Sequence, residues 1–232
     1  MDTRTFLDRL LETGKDLGDK GKNYAEEKLN IPEQGPERDA MLAGMSKGAM
    51  AAGFIGLLLG TKGGRAITGS AIKLGSVAAI GGLAYKTYRD WQADKPGFTK
   101  DQVEVINPAE DTSDEHSRLI LRAMIGAAKS DGHIDANERI SLQNFIDQLG
   151  ESQELSQFVE QELSKPLDPG DIAQGVPNQE VASELYLASL LIIDQSNFMA
   201  KTYLDQLARA LALPPDLVAN LNTNMKQAVP SA

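Results

Sequence analysis

The sequence has no cysteine, two histidines and one tryptophan among its 232 residues. Without cysteine, disulfide bonds and thiol chemistry are excluded. Imidazole, the usual acid–base group near neutral pH, is supplied only by His116 and His133. The sequence around them has no Ser/His/Asp order, phosphate loop or zinc-protease motif. It therefore predicts that the protein is not an enzyme.

Asp and Glu are absent from the residues between Ala40 and Arg89, which carry six of the 23 basic residues and eleven of the 21 glycines. The remaining 17 basic residues stand against all 33 acidic ones, so this acid-free window has a net charge of +6 and the rest −16. Basic residues within apolar Gly/Ala runs fit anionic lipid headgroups, at about 1 kcal/mol each near the surface. Nucleic-acid surfaces instead interleave basic residues with polar or aromatic groups, so nucleic-acid binding is not expected.

Long hydrophobic runs are scarce even within the window. Its apolar residues form two blocks, 48–60 and 74–85, and each is shorter than the about 20 residues that a spanning helix needs. The extended stretches Met41 to Leu59 and Ala66 to Tyr85 reach marginal spanning length, and each contains one lysine. The pattern predicts membrane association and leaves open whether one segment spans or both lie shallowly. Basic residues after the second block favour a cytoplasmic C-terminal domain.

Small residues recur at every fourth position in the first half of the window. In a helix this spacing forms a bare ridge on which a second helix can pack closely. We interpret this glycine ridge as a surface for membrane helix packing and self-association. A flexible Gly/Ala linker is the alternative, but the branched aliphatic residues of the window argue against it. The ridge comprises Gly44, Gly48, Ala52, Gly56, Gly60 and Gly64.

Composition divides the chain into four regions. Residues 1–39 form a polar segment with a short apolar stripe, as in an amphipathic helix, or alternatively a loosely ordered tail. Residues 40–90 contain the window, and 91–113 are predicted to form a linker. Residues 114–228 have helical apolar spacing almost throughout, which predicts an all-α bundle of six or seven helices. Tyr186 to Ile193 is apolar on every face and is expected at the centre of that bundle.

A tight acidic turn follows the first predicted helix of the bundle. As a structural signal, Asp135 precedes Glu138 by three positions, which is the spacing of a capping box. As a chemical signal, Asp131, His133, Asp135 and Glu138 are candidate ligands for a divalent cation: calcium through the oxygens, or zinc if His133 joins. The glycine and glutamate that an EF-hand needs at its sixth and twelfth positions are missing. Capping alone and cation binding both stay open.

Four stretches resemble a known family: KGAMAAGFIGLLLG at 47–60, AAKSDGHIDANER at 127–139, PLDP at 166–169 and IDQSNFMAKTYLDQLARALALP at 193–214. The C-terminal region resembles the TerB-like helical domain of tellurite-resistance proteins. The whole architecture is similar to YebE-type bacterial inner-membrane proteins of unknown function. The resemblance implies an all-helical domain of two related halves, each with an acidic turn that leads into a helix.

In the second half, the resemblance adds Asp194 to the candidate metal ligands. Ser196, Ala200 and Lys201 stand where it implies further acidic residues, so a two-turn cation site would be depleted. We therefore expect a non-enzymatic interaction module anchored at the bacterial inner membrane, with lipids and a cytoplasmic protein as partners and a link to envelope or metal stress. The alternative is a soluble cation-binding sensor that uses the turn from Asp131 to Glu138.

Overall fold

The computed structural model describes residues 3–11, 76–95, 113–130, 153–193 and 198–228. Within these ranges the chain forms eight helices and no strand, which confirms the predicted all-α class. The helices are α1 (residues 3–11), α2 (Val77–Ala93), α3 (Asp114–Lys129), α4 (Gln153–Ser164), α5 (Pro169–Ala173), α6 (Gln179–Ile192), α7 (Phe198–Ala210) and α8 (Pro215–Ala228). The last six of these belong to the predicted bundle.

Short polar side chains fix where several helices begin. The hydroxyl groups of Ser76 and Ser113 each accept a hydrogen bond of 3.2 Å from the backbone N–H three residues later. The Asn178 side-chain oxygen does the same for α6 at 2.9 Å. Each cap satisfies a donor that the first helical turn leaves unpaired, and contributes about 1 kcal/mol. These residues therefore set the starts of α2, α3 and α6.

Two residues with positive φ lie in the described turns between later helices. Gly175, between α5 and α6, has a φ of 80°, a left-handed conformation that glycine adopts without steric cost. Ala212 after α7 has a φ of 52°. The next N–H, that of Leu213, donates to the Ala208 carbonyl at 3.0 Å, which is the long hydrogen bond of a Schellman motif. This motif ends α7, and α8 begins at Pro215.

Helix α6 lies at the centre of the bundle, as its apolar sequence predicts. Every side chain from Glu180 to Ile192 is buried, because α2, α3, α7 and α8 all pack against it. A helix that is apolar on all faces needs such enclosure to avoid exposing hydrophobic surface to water. Helices α4 and α5 pack on α3, and α7 packs on α5.

Helix α2 brings the end of the acid-free window into this core. Val77, Ile80 and Ala84 are buried, and the helix packs against α6 and α8. It continues to Ala93, beyond residue 90, where the predicted region 40–90 ends. None of the helices in the described ranges has both the length and the apolar character that crossing a membrane requires.

Residues 3–11 of the predicted N-terminal segment form the amphipathic helix α1. Phe6, Leu7 and Leu10 are at most 2% exposed and belong to the same apolar core as α2 and α6. Burying a large apolar side chain stabilises a fold by about 1.5–3 kcal/mol relative to leaving it exposed. Tertiary packing therefore explains why so short a helix forms.

Candidate functional site

The residues that the sequence predicts for metal binding lie outside the described ranges. They are Asp131, His133, Asp135, Glu138 and Asp194. The glycine ridge from Gly44 to Gly64 also lies outside them. Both sites therefore stay predictions, and so does the possible divalent cation. In the part of the chain that the structure does describe, no three His, Asp or Glu side chains are grouped as a metal site would require.

A histidine and a glutamate form a buried polar pair between α3 and α6. His116 Nε2 lies 2.9 Å from Glu184 Oε2, and the two side chains are 4% and 0% exposed. The other oxygen of Glu184, Oε1, has no hydrogen-bond partner among the described residues, and neither has the Ser117 hydroxyl. A buried carboxylate is costly unless it is paired and hydrogen-bonded. The pair therefore favours one alignment of α3 on α6.

This buried pair is closed to solvent. A general acid or base has to come within hydrogen-bonding distance of the group that it serves, and both side chains are enclosed by the bundle. The geometry assigns His116 and Glu184 to packing between helices. The sequence patterns did not indicate Glu184, although it lies two residues before the apolar stretch from Tyr186 to Ile193. A charged residue within a central apolar helix indicates a buried polar pair, because charged residues are almost never fully buried unless they are paired.

The C-terminal half of α2 forms an aromatic corner with the starts of α6 and α8. Its members are Tyr85, Tyr88, Arg89, Trp91, Gln92, Lys95, Glu180 and Asp216. The indole Nε1 of Trp91 donates to Asp216 Oδ2 at 2.7 Å, and the Lys95 ammonium lies 3.3 Å from the centre of the tryptophan ring. The rings of Tyr88 and Trp91 are 5.8 Å apart. The chain's single tryptophan therefore joins α2 to α8.

The two carboxylates of the aromatic corner have opposite environments. The hydrogen bond from Trp91 lowers the pKa of Asp216, and the Lys95 charge acts in the same direction. Burial raises the pKa of Glu180, and the Arg89 charge offsets part of that rise. Burial, together with the Glu180 charge, also raises the pKa of the Tyr88 phenol. Shifted pKa values of this kind occur in functional sites and in structural networks alike.

We expect Glu180→Gln to stabilise the protein at pH 7. Because burial raises the folded-state pKa of Glu180, the folded state favours the protonated carboxyl. The protonated Glu180 carboxyl contributes its full share of stability below about pH 4.3, the pKa of glutamate in the unfolded chain. This contribution is lost as the pH rises through the pKa of Glu180 in the folded state. Glutamine removes this loss, so the Tm at pH 7 should rise, by no more than a few degrees. Circular dichroism melts at pH 7 and at about pH 4.3 should show a gain that shrinks on acidification.

Glu115→Gln is the matched control for this prediction. Glu115 is the second residue of α3, as Glu180 is of α6, but its side chain is exposed. Both variants lose a negative charge near a helix N-terminus, where it is favourable, and only Glu180→Gln also removes a buried charge. The control should therefore leave Tm at pH 7 unchanged or lower it. Equal shifts in the two variants would contradict the prediction.

An apolar edge lies where α5 and α7 meet. Phe198 and Met199 at the start of α7 are 81% and 61% exposed, and Leu167 ahead of α5 is 37% exposed. Gly126 of α3 allows close approach here, because a Cβ at this position would lie 2.7 Å from the Tyr203 hydroxyl oxygen and 3.6 Å from Leu167 Cδ1. Leu167 and α7 therefore approach the same side of α3. Exposed large apolar side chains mark candidate contact surfaces.

Comparison with known proteins places the chain in a family. A family model described as a protein of unknown function (DUF533) matches residues 44–225. The chain belongs to the DUF533 family. A Yersinia enterocolitica protein described as an uncharacterized protein in the ampR 5′ region is 34% identical over 114 residues, which cover 49% of this chain and 82% of that protein. No solved structure matches this DUF533 chain.

The DUF533 match agrees with the coarser part of the predicted resemblance. DUF533 is related to TerB-like proteins, and the described helices form an all-α bundle. The matched range begins within the acid-free window and continues to residue 225 in α8. The family unit therefore includes the window as well as the bundle. The YebE-type likeness, tellurite resistance and the link to envelope or metal stress stay predictions.

Proposed function

We propose that this DUF533 protein is a non-enzymatic helical interaction module held at a bacterial inner membrane by its acid-free window. The packing of α2 carries the proposal. Residues 77–89 of this helix belong to the window, and their buried side chains belong to the core of the bundle. Lipid contact made by the window would therefore place the bundle directly at the membrane surface.

The charge of the window supports a lipid partner. Its first 36 residues, 40–75, carry four basic side chains and no acidic one. On α2, the Lys86 side chain is 71% exposed and pairs with Asp90, the first acidic residue after the window. Anionic headgroups attract basic residues that lie within a Debye length of about 8–10 Å. The start of the window therefore has the charge that such a surface favours.

The apolar edge supports a protein partner for the bundle. Phe198 projects into solvent, and aromatic side chains and methionine are enriched in interface cores. The enclosed pair of His116 and Glu184 supports the non-enzymatic part of the proposal, because a buried pair has no contact with a dissolved substrate. We therefore propose that recognition belongs to the bundle and attachment to the window.

Vesicle binding tests the attachment. The full chain should sediment with phosphatidylglycerol vesicles and bind phosphatidylcholine vesicles less. Replacing Lys47, Lys62 and Arg65 together with glutamine should weaken binding to phosphatidylglycerol by roughly 100-fold, because each charge near an anionic surface contributes about 1 kcal/mol. Binding constants come from cosedimentation over a range of lipid concentrations.

A second triple variant gives the control. Lys201, Arg209 and Lys226 are exposed on α7 and α8 of the bundle, and their replacement by glutamine changes the net charge by the same amount. This variant should bind vesicles as the unsubstituted chain does. Equal weakening in the two triple variants would locate lipid contact outside the window. An unsubstituted chain that does not bind phosphatidylglycerol would refute the proposed function.

A further inference from the structure

Helices α1 and α2 meet although residues 12–75 separate them in the chain. The Asp8 carboxylate oxygen Oδ1 accepts a hydrogen bond of 2.9 Å from the backbone N–H of Val77. Val77 is the first residue of α2. Asp8 therefore satisfies a donor that the first helical turn leaves unpaired, and it places negative charge at the helix N-terminus. The end of α1 and the start of α2 therefore lie side by side.

A second set of contacts fixes α1 to the bundle. The Thr3 backbone N–H donates to Asp114 Oδ1 at 3.0 Å, and the Thr3 hydroxyl donates to the same oxygen. Burial acts to raise the pKa of Asp114, but hydrogen bonds from Thr3 and the Arg118 guanidinium outweigh it and hold the pKa below its ordinary value. The apolar face of α1 is buried in the common core. Helices α1, α2 and α3 therefore form one packed unit.

We propose that α1 and the bundle face the same aqueous compartment, and that the acid-free window contacts lipid from that side without crossing the bilayer. The inference rests on the proposed function, in which the window binds a membrane. Hydrogen bonds of about 3 Å between α1 and the starts of α2 and α3 cannot form across a hydrocarbon core of about 30 Å. The chain between residues 12 and 75 therefore crosses an even number of times.

The sequence favours no crossing of the membrane over two crossings. Two crossings need two apolar segments of about 20 residues each. The burial of Val77, Ile80 and Ala84 in the core removes the last part of Ala66 to Tyr85, which leaves Met41 to Leu59 as the remaining stretch of spanning length. The basic residues between the two apolar blocks also favour the cytoplasmic side. A single long apolar stretch with both ends on one side fits insertion from one face.

Single-cysteine labelling tests the inference on the full chain. The natural sequence has no cysteine, so the unsubstituted protein gives no background. The variants are Arg9→Cys on α1 and Asn220→Cys on α8, both exposed, and Thr61→Cys between the apolar blocks. Bacterial cells with an opened outer membrane are treated with a membrane-impermeant maleimide before and after the inner membrane is opened. We expect no labelling before opening, and labelling of Arg9→Cys and Asn220→Cys after it.

The outcomes separate failure of the inference from failure of the proposed function. Labelling of Arg9→Cys and Asn220→Cys from opposite sides overturns the inference while the protein remains membrane-bound. Labelling of Thr61→Cys alone from the outside also overturns it, because that result requires two crossings. Recovery of the unsubstituted chain in the soluble fraction overturns the proposed function and the inference with it. Labelling of all three sites from outside supports the inference that the chain contacts the membrane from one side. It changes only the predicted side, from the cytoplasmic to the outer face of the inner membrane.

Discussion

Replacing His116 with leucine is expected to lower the free energy of unfolding by about 3–5 kcal/mol, because it leaves the buried carboxyl group of Glu184 without its partner. Glu184 is fully buried, and its Oε1 has no hydrogen-bond partner among the described residues. Without His116, Oε2 loses its 2.9 Å contact as well. Urea denaturation of the full chain at pH 7, followed by circular dichroism, measures the loss.

The double variant His116→Leu/Glu184→Met gives the decisive comparison. It removes the unpaired carboxylate and fills the same space with apolar side chains, an exchange that is often neutral or stabilising for buried ion pairs. We expect it to recover most of the stability lost in His116→Leu. If the double variant is less stable than the single one, the stability at this position comes from shape and not from pairing. A loss below about 1 kcal/mol in His116→Leu would also contradict the pairing, because that is the value of an ordinary hydrogen bond.

Trp91→Ala is expected to cost about 3–5 kcal/mol, the usual range for truncating a buried aromatic side chain. Trp91 is 6% exposed and joins α2 to α8 through its bond to Asp216. Losing the ring should also loosen α2 from the bundle. Trypsin should then cleave after Lys86 and Arg89 faster than in the unsubstituted chain. Urea denaturation and a timed digest give the two measurements.

Two further variants separate the hydrogen bond of the Trp91 indole from the packing of its ring. Trp91→Phe keeps a ring and removes the indole N–H, so it should cost about 1 kcal/mol and raise the pKa of Asp216 toward its ordinary value. Tyr85→Ala removes a half-buried ring whose hydrogen bond and ring contact are both with Arg89 of the same helix. It should leave the digestion rate of α2 unchanged. Equal digestion of Tyr85→Ala and Trp91→Ala would show that Trp91 has no special part in docking.

Local patterns were enough to predict the helices of the bundle. Leu204 and Leu207 of α7 and Leu221 of α8 are buried, as their helical spacing requires. The apolar stretch in α6 led to its central position, because a helix without a polar face has to be enclosed.

The polar contacts that define the assembled structure could not be predicted in this way. His116 and Glu184 are 68 residues apart, and Asp8 caps a helix that begins 69 residues later. A periodicity shows which face of a helix is apolar, but not which helix covers it. For the same reason, α2 was assigned to a membrane region, although its apolar face packs in the bundle. The sequence can mark a charged residue as buried, but the partner of that residue is known only from the folded structure.

The contact between Thr3 and Asp114 also sets an order of events during synthesis. The two residues are 111 positions apart, so a ribosome that adds about 5–20 residues per second needs roughly 6–22 s to make the second after the first. Helix α1 cannot dock on α3 during that interval, and the acid-free window is made before α3. The nascent chain therefore presents its window to any nearby membrane while the bundle is still incomplete.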